Sequence, residues 1–165
     1  MKSRLRVIAG AALALTVIGG TAGVTLAGHK DQTVLRGDVM VGVVAPYTGM
    51  TNPIRGINGG GLPWQIADAE FRLHASGKIE VDVEGLVLVK TGANPLPTFK
   101  ATVSCLSVNA AGAPTTVNVS TDPFPADAAG NSEIEGMVDL PSPCIAPIIF
   151  VANGGNGAWF AATGV

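Results

Sequence analysis

Between residues 69 and 89 (AEFRLHASGKIEVDVEGLVLV) apolar and polar side chains alternate with a period of two. Phe71, Leu73, Ile79, Val81 and Val83 hold the odd positions, and Glu70, Arg72, His74, Lys78, Glu80, Asp82 and Glu84 the even ones. This is the pattern of strands with one buried face and one wet face. Residues that meet across a hairpin share a face, so the connection must contain an odd number of residues. A three-residue loop, Ala75-Ser76-Gly77, satisfies this, with Gly77 free to take the left-handed conformation that closes it. The register then pairs Leu73 with Ile79, Phe71 with Val81 and Arg72 with Glu80, and sets Glu70 opposite Asp82, a like-charge mismatch.

The same period recurs along the chain. Residues 33–44 place Val39, Val41 and Val43 on one face of a first strand. Residues 45–64 are rich in Gly and Pro and read as a long loop, with a short strand around Ile54 to Ile57. Loops of that length are usually functional or mobile, so a site is sought there first. Alternation stops at Gly85, and Leu86 to Val89 are apolar on both faces, which calls for a bulge or a strand end covered on both sides. Phe99, Ala101, Val103 and Cys105 alternate with Lys100, Thr102 and Ser104; Val117 and Val119 point inward from a returning strand; Ile134 and Val138 mark another. Residues 148–152 read as a buried strand, and Trp159 and Phe160, being consecutive, point to opposite faces of the last one. About eight short strands with turn signals between them, and no helical period after residue 27, predict an all-β fold. The expected form is an antiparallel β-sandwich of Ig-like, Greek-key type, with a partly closed barrel as runner-up.

The N-terminus departs from this pattern. Lys2, Arg4 and Arg6 precede an apolar run and then small residues, the layout of a secretory signal over residues 1–27, cleaved after Ala27 or, alternatively, after Ala22. The competing reading is an uncleaved anchor, because residues 7–26 carry no charge and are long enough to span a bilayer. Residues 28–165 form the single expected domain, with seven cations against twelve anions, a net charge of −5. There is no basic stripe, so nucleic acid is not an expected partner, and the membrane is expected only through an uncleaved N-terminus. In an exported chain, two cysteines read as one disulfide, Cys105 to Cys144.

Catalytic chemistry finds little to stand on. Nucleophile triads need a base beside a Ser or Cys; the histidines of the expected domain are His29, at its start, and His74, on the wet face of the hairpin. Glu80, Asp82 and Glu84 project from one strand face at about 7 Å intervals, a spacing compatible with acid and base roles in glycoside hydrolysis but also ordinary for a solvated strand. The loop at 122–131 offers Asp122, Asp127 and Asn131 as oxygen ligands for calcium, the one candidate cofactor; the plainer reading is that they form turns. Residues 58–61 (NGGG) lack the Lys-Ser/Thr of a phosphate loop. Asn58, Gly60, Trp64 and Trp159 are the candidate ligand-binding residues, the tryptophans as stacking platforms for a sugar or a peptide. The expected function is an exported, non-catalytic binding or structural module with a protein or glycan ligand at the cell surface. The alternative is a secreted hydrolase using the acidic hairpin face or the 122–131 loop.

The segments FKATVSC (99–105), STDPFPAD (120–127), EIEGMVDLPSPCIAPIIFV (133–151) and AWFAATG (158–164) resemble exported bacterial proteins of unknown function. Residues 73–86 also resemble the LxxxGxLxVxVxGL hairpin of CHRD-type domains. The histidines that follow that hairpin in the family are missing here, so no metal role is carried over. The resemblance implies a β-sandwich and supplies no catalytic residue.

Overall fold

The computed structural model describes residues 32–163, which are all-β: twelve strands in antiparallel sheets, with no helix and no sheet closed on itself. The signal or anchor read in residues 1–27, and His29, lie outside the described residues. Eight strands have five residues or more, and the other four have two or three.

A four-stranded sheet is built around the central hairpin. β4 (Asp68–His74) and β5 (Lys78–Glu84) pair as the alternation requires, Leu73 with Ile79, Phe71 with Val81 and Arg72 with Glu80. β1 (Thr33–Gly37) adds to β4 and β10 (Ser132–Met137) to β5. Gly77 closes the turn at φ 90° and lies so close to the next segment that a Cβ there would collide with the Val138 carbonyl oxygen, while Val138 donates its N–H to the Gly77 carbonyl at 3.0 Å. Gly77→Ala is therefore expected to cost about 1–3 kcal/mol of backbone strain, with the collision added. Its urea midpoint should fall well below that of Ser76→Ala, which gives up only the 3.4 Å hydrogen bond that the Lys78 N–H donates to Ser76 Oγ.

The larger sheet runs β2 (Met40–Gly42), β12 (Trp159–Thr163), β11 (Ile145–Asn153), β7 (Thr98–Val108) and β8 (Pro114–Ser120), with β9 (Phe124–Pro125) on the other end of β7. The third sheet pairs β3 (Trp64–Gln65) with β6 (Val87–Leu88). Apolar residues of both larger sheets join one core, with Leu73, Ile79 and Val81 from one and Phe99, Val103, Ile149 and Val151 from the other. Cys105 and Cys144 form the expected disulfide.

Two expectations need correction. The strand predicted over residues 33–44 is two strands in different sheets, because the chain leaves the first sheet after Gly37 and enters the second at Met40. The crossing resets the phase: Met40 is buried, while Val39 and Val41 are 62% and 57% exposed. Val43 is buried as predicted. At Gly85 (φ 64°) the ladder does break, and the apolar run beyond it leaves β5 to form β6.

Residues 45–61 cover the second face of β7 and β11. Ile54 and Ile57 exchange backbone hydrogen bonds around Arg55 and Gly56, both at positive φ, as in a two-residue hairpin turn. Arg55 Nη1 donates to the Ser104 carbonyl at 2.8 Å, and Asn118 Nδ2 donates to the Arg55 carbonyl at 3.0 Å. Under this cover Thr102, Ser104 and Phe150 are buried although the alternation puts them on the side away from Val103.

Candidate functional site

Two regions concentrate the candidate chemistry. On the polar face of the four-stranded sheet, Glu70, Asp82 and Glu133 stand in register across β4, β5 and β10. Facing Cβ atoms in such a row are about 5 Å apart. The next row holds Arg36, Arg72, Glu80 and Glu135, and a shallow depression of about 170 Å³ lies over both. Arg72 bridges Glu70 at 3.9 Å and Glu80 at 3.4 Å. Lys78 hydrogen-bonds Glu80, and that bond and charge hold the Glu80 carboxyl below its ordinary pKa. Glu80 is thus kept ionised, which suits an ion pair and opposes use as a general acid.

In the loop at 122–131 two of the three proposed calcium ligands, Asp127 and Asn131, serve the backbone. Asp127 Oδ1 accepts the Asn131 N–H at 2.9 Å and Oδ2 accepts Asn131 Nδ2 at 3.0 Å, and these bonds, the backbone one first, lower the Asp127 pKa. Asn131 Oδ1 accepts the Gly85 N–H at 3.1 Å, fastening the turn to the bulge. Asp127 and Asn131 line a common depression that Asp122 does not line. Among the described residues no group of three His, Cys, Asp or Glu side chains is placed to hold a metal ion.

The second region is where three loops meet beside β3. Trp64 is placed by its N–H, which donates to the Val43 carbonyl at 2.9 Å, and by pairing with Leu88. Its ring stacks on Phe160 at 4.0 Å and meets Phe99 edge-on at 6.3 Å. Gly60 lies against this pair, since a Cβ there would stand 2.8 Å from Phe160 Cδ1 and 3.1 Å from Trp64 Nε1. On the opposite side Asn94, buried, donates Nδ2 to the carbonyls of Leu96 and Asp127 and accepts the Leu96 N–H, fixing Leu96 at the rim. The turn after β11 completes the wall. Asn153 Oδ1 accepts the N–H groups of Gly155 and Asn156, and Asn156 Oδ1 accepts that of Ala158. The result is an open cleft of about 290 Å³, lined mainly by apolar groups and by no charged side chain.

Of the four ligand-binding candidates, the structure brings Gly60 and Trp64 together in this cleft. Asn58 lines a neighbouring depression, and its carbonyl accepts the Trp159 N–H at 2.9 Å. Trp159 is 4% exposed, packed against Phe150 beneath the covering loop, with its indole nitrogen buried and without a partner. Trp64 is also 4% exposed. Neither tryptophan presents a ring face to solvent, which corrects the expectation of a stacking platform. Trp64 is drawn inward by its packing on Phe160 and Phe99, and Trp159 by its packing on Phe150 beneath the loop. Sequence reasoning missed Leu62, Leu96, Asn153, Asn156 and Phe160 as cleft residues. The available signal was the pair of asparagines in a glycine-rich turn directly before an aromatic pair.

Comparison of the chain with protein-family models, with curated proteins and with solved structures gives no match.

Proposed function

We propose that this chain is an exported binding module without catalytic activity. In this reading residues 1–27 direct export, the two larger sheets pack as an Ig-like sandwich, and recognition takes place at the loops beside β3. The observation that carries it is the uncharged cleft into which Gly60 and Trp64 converge with two further loops. Concave, mostly apolar sites with a few polar groups at the rim are where ligands are usually held. A disulfide is in keeping with an oxidising compartment outside the cytosol, and the partner is a protein or glycan of the cell surface.

The test is thermal unfolding of the oxidised protein with calcium, EDTA, oligosaccharides, short peptides and cell-envelope fractions. A ligand at 100 times its dissociation constant adds about 2.7 kcal/mol, a rise of several degrees for a domain of this size. Such a rise is the expected result for at least one class. Unchanged melting throughout would overturn the binding reading in favour of a structural role. The hydrolase reading draws on the row Glu70, Asp82 and Glu133; it requires release of product from the oligosaccharides and loss of that release in Asp82→Asn.

A further inference from the structure

β8 ends the larger sheet, and its outer edge is open. Which backbone groups face outward follows from the two ends of its ladder with β7. The Thr121 N–H donates to the Ala101 carbonyl and the Asn109 N–H to the Ala113 carbonyl, both in the register that sets Cys105 opposite Val117. Bonded and non-bonded pairs alternate along an antiparallel ladder, so Thr115, Val117 and Val119 bond to β7, and the N–H and C=O groups of Thr116, Asn118 and Ser120 point away. Among the described residues these outward groups meet no partner. The covering loop engages the Asn118 side chain, whose Nδ2 donates to the Arg55 carbonyl, and leaves its backbone free. Native sheet edges are usually guarded by charge, by bulges or by brevity. The other ends of the two larger sheets follow that rule: β10 carries Glu133 and Glu135, β1 carries Arg36 and a register shift after Thr33, and β2 has three residues. β8 has seven residues and no charged side chain, and its Val117 and Val119, on the side shared with Cys105 and Val103, are half-buried.

We propose that this edge pairs with the same edge of a second copy, antiparallel about a two-fold axis at Asn118. In that register Asn118 faces Asn118 and Thr116 faces Ser120, each pair exchanges two hydrogen bonds, and every outward group of both edges is used. Sliding by two residues either brings in Pro114, which has no N–H to give, or sets Thr116 against Asp122, beyond the end of the strand. The same register lays Val117 on Val119 of the second copy, so the apolar side chains left half-buried at the edge cover each other. Charge also favours a second copy here. Residues 28–165 carry seven cations against twelve anions, and pairing through β10 would set Glu133 and Glu135 against their own kind, whereas two β8 strands bring no like charges together. One strand pair buries less than the roughly 1,200 Å² of a standard interface, so the association is transient, with a dissociation constant of about 0.1 mM. No residue that lines the cleft beside β3 lies on β8, so both clefts stay open in the pair. In the binding-module reading the pair then holds a repetitive surface ligand at two points; the association itself does not depend on that reading.

The test is amide hydrogen exchange and ¹⁵N chemical shift of the oxidised protein from about 10 μM to about 1 mM, with sedimentation equilibrium alongside. At the higher concentration the amides of Thr116, Asn118 and Ser120 are expected to shift saturably and to exchange about fourfold more slowly, while those of Thr115, Val117 and Val119, already bonded to β7, keep their rates. Thr116→Pro takes away an outward N–H that the ladder to β7 does not use, as prolines on edge strands do. Its melting at about 10 μM should match the parent while association weakens about tenfold or more; Thr116→Val should associate as the parent does. Asn118→Lys keeps the backbone and places two cations at the axis, so association should fall and recover in part with added salt. A single monomeric species at about 1 mM with the three amides unmoved, association that shifts other residues instead, or parental association of both Thr116→Pro and Asn118→Lys would overturn the proposal. Slowed exchange of the three amides that appears only on adding a blocked (Thr-Val)₃ peptide, and not on concentrating the protein, would give the edge to a foreign strand and overturn it too. None of these outcomes touches the cleft, whose ligand panel is read separately by melting.

Discussion

Val81→Asp is expected to abolish folding, while Asp82→Lys, one residue further along the same strand, is expected to raise stability. Val81 is 1% exposed and lies between Phe71 and Ile134 in the neighbouring strands. An unpaired carboxylate there loses its hydration without a partner, a penalty of several kcal/mol, in addition to about 1.5–3 kcal/mol of lost apolar burial. Together these approach the whole stability of a typical domain, about 5–15 kcal/mol. No cooperative urea transition and a collapsed near-ultraviolet signal are the expected outcome. Asp82 stands on the opposite face between Glu70 and Glu133. A lysine there turns two like-charge neighbours into opposite-charge pairs, each worth about 0.2–1 kcal/mol, so the urea midpoint should move up. Equal tolerance of the two substitutions would show that the odd-numbered face of the hairpin is not the core.

The acidic face has a second consequence. Seven of the twelve acidic residues, Asp68, Glu70, Glu80, Asp82, Glu84, Glu133 and Glu135, sit on β4, β5 and β10, against Arg72 and Lys78 on the same strands. That field repels a second copy of the face and any polyanion. It is separate from the uncharged cleft, whose lining shares no residue with the depression over the acids. In the binding-module reading proposed above, recognition by the cleft should therefore depend weakly on salt, as expected for hydrogen bonds and apolar contact without ion pairs.

The hairpin was legible because two local rules agree. Period two decides the face of every residue from Phe71 to Val83, and an odd turn ending in Gly77 decides the register. Legibility failed where the answer came from elsewhere in the chain. Residues 33–44 alternate well enough for one strand, yet the sheet change at Gly37 to Met40 is set by which edges β4 and β12 leave open. Thr102 and Ser104 look like solvent-facing residues, and a loop about fifty positions earlier buries them. The cleft was half visible. Gly60 and Trp64 stood out as glycine beside aromatic, while Asn153 and Asn156 look like any turn formers until the turn orients their amides. Asn58 and Trp159 were grouped with them by composition, and the strand at β12 instead carries Trp159 to the covered face.

Removing both cysteines, Cys105→Ala with Cys144→Ala, is expected to cost about 4 kcal/mol and about 10 °C in melting temperature. The two residues are 39 positions apart, and the loop they close contains β8, β9 and β10. In the folded protein Cys105 is buried in β7, and Cys144 directly precedes β11, which pairs with β7 through Ile145 and Leu106. The ladder thus holds the two segments together even without the bond, so the main loss falls on the unfolded chain, which gains the freedom of an open loop. That separates the effect from simple core damage. An unfolded state released from its crosslink exposes more surface, so the urea m-value should rise as the midpoint falls. Loss of the Cys105 sulfur from the core alone would lower the midpoint at constant m. A double variant that melts with the parent would mean that the closed loop is already as restricted in the unfolded chain as the disulfide makes it.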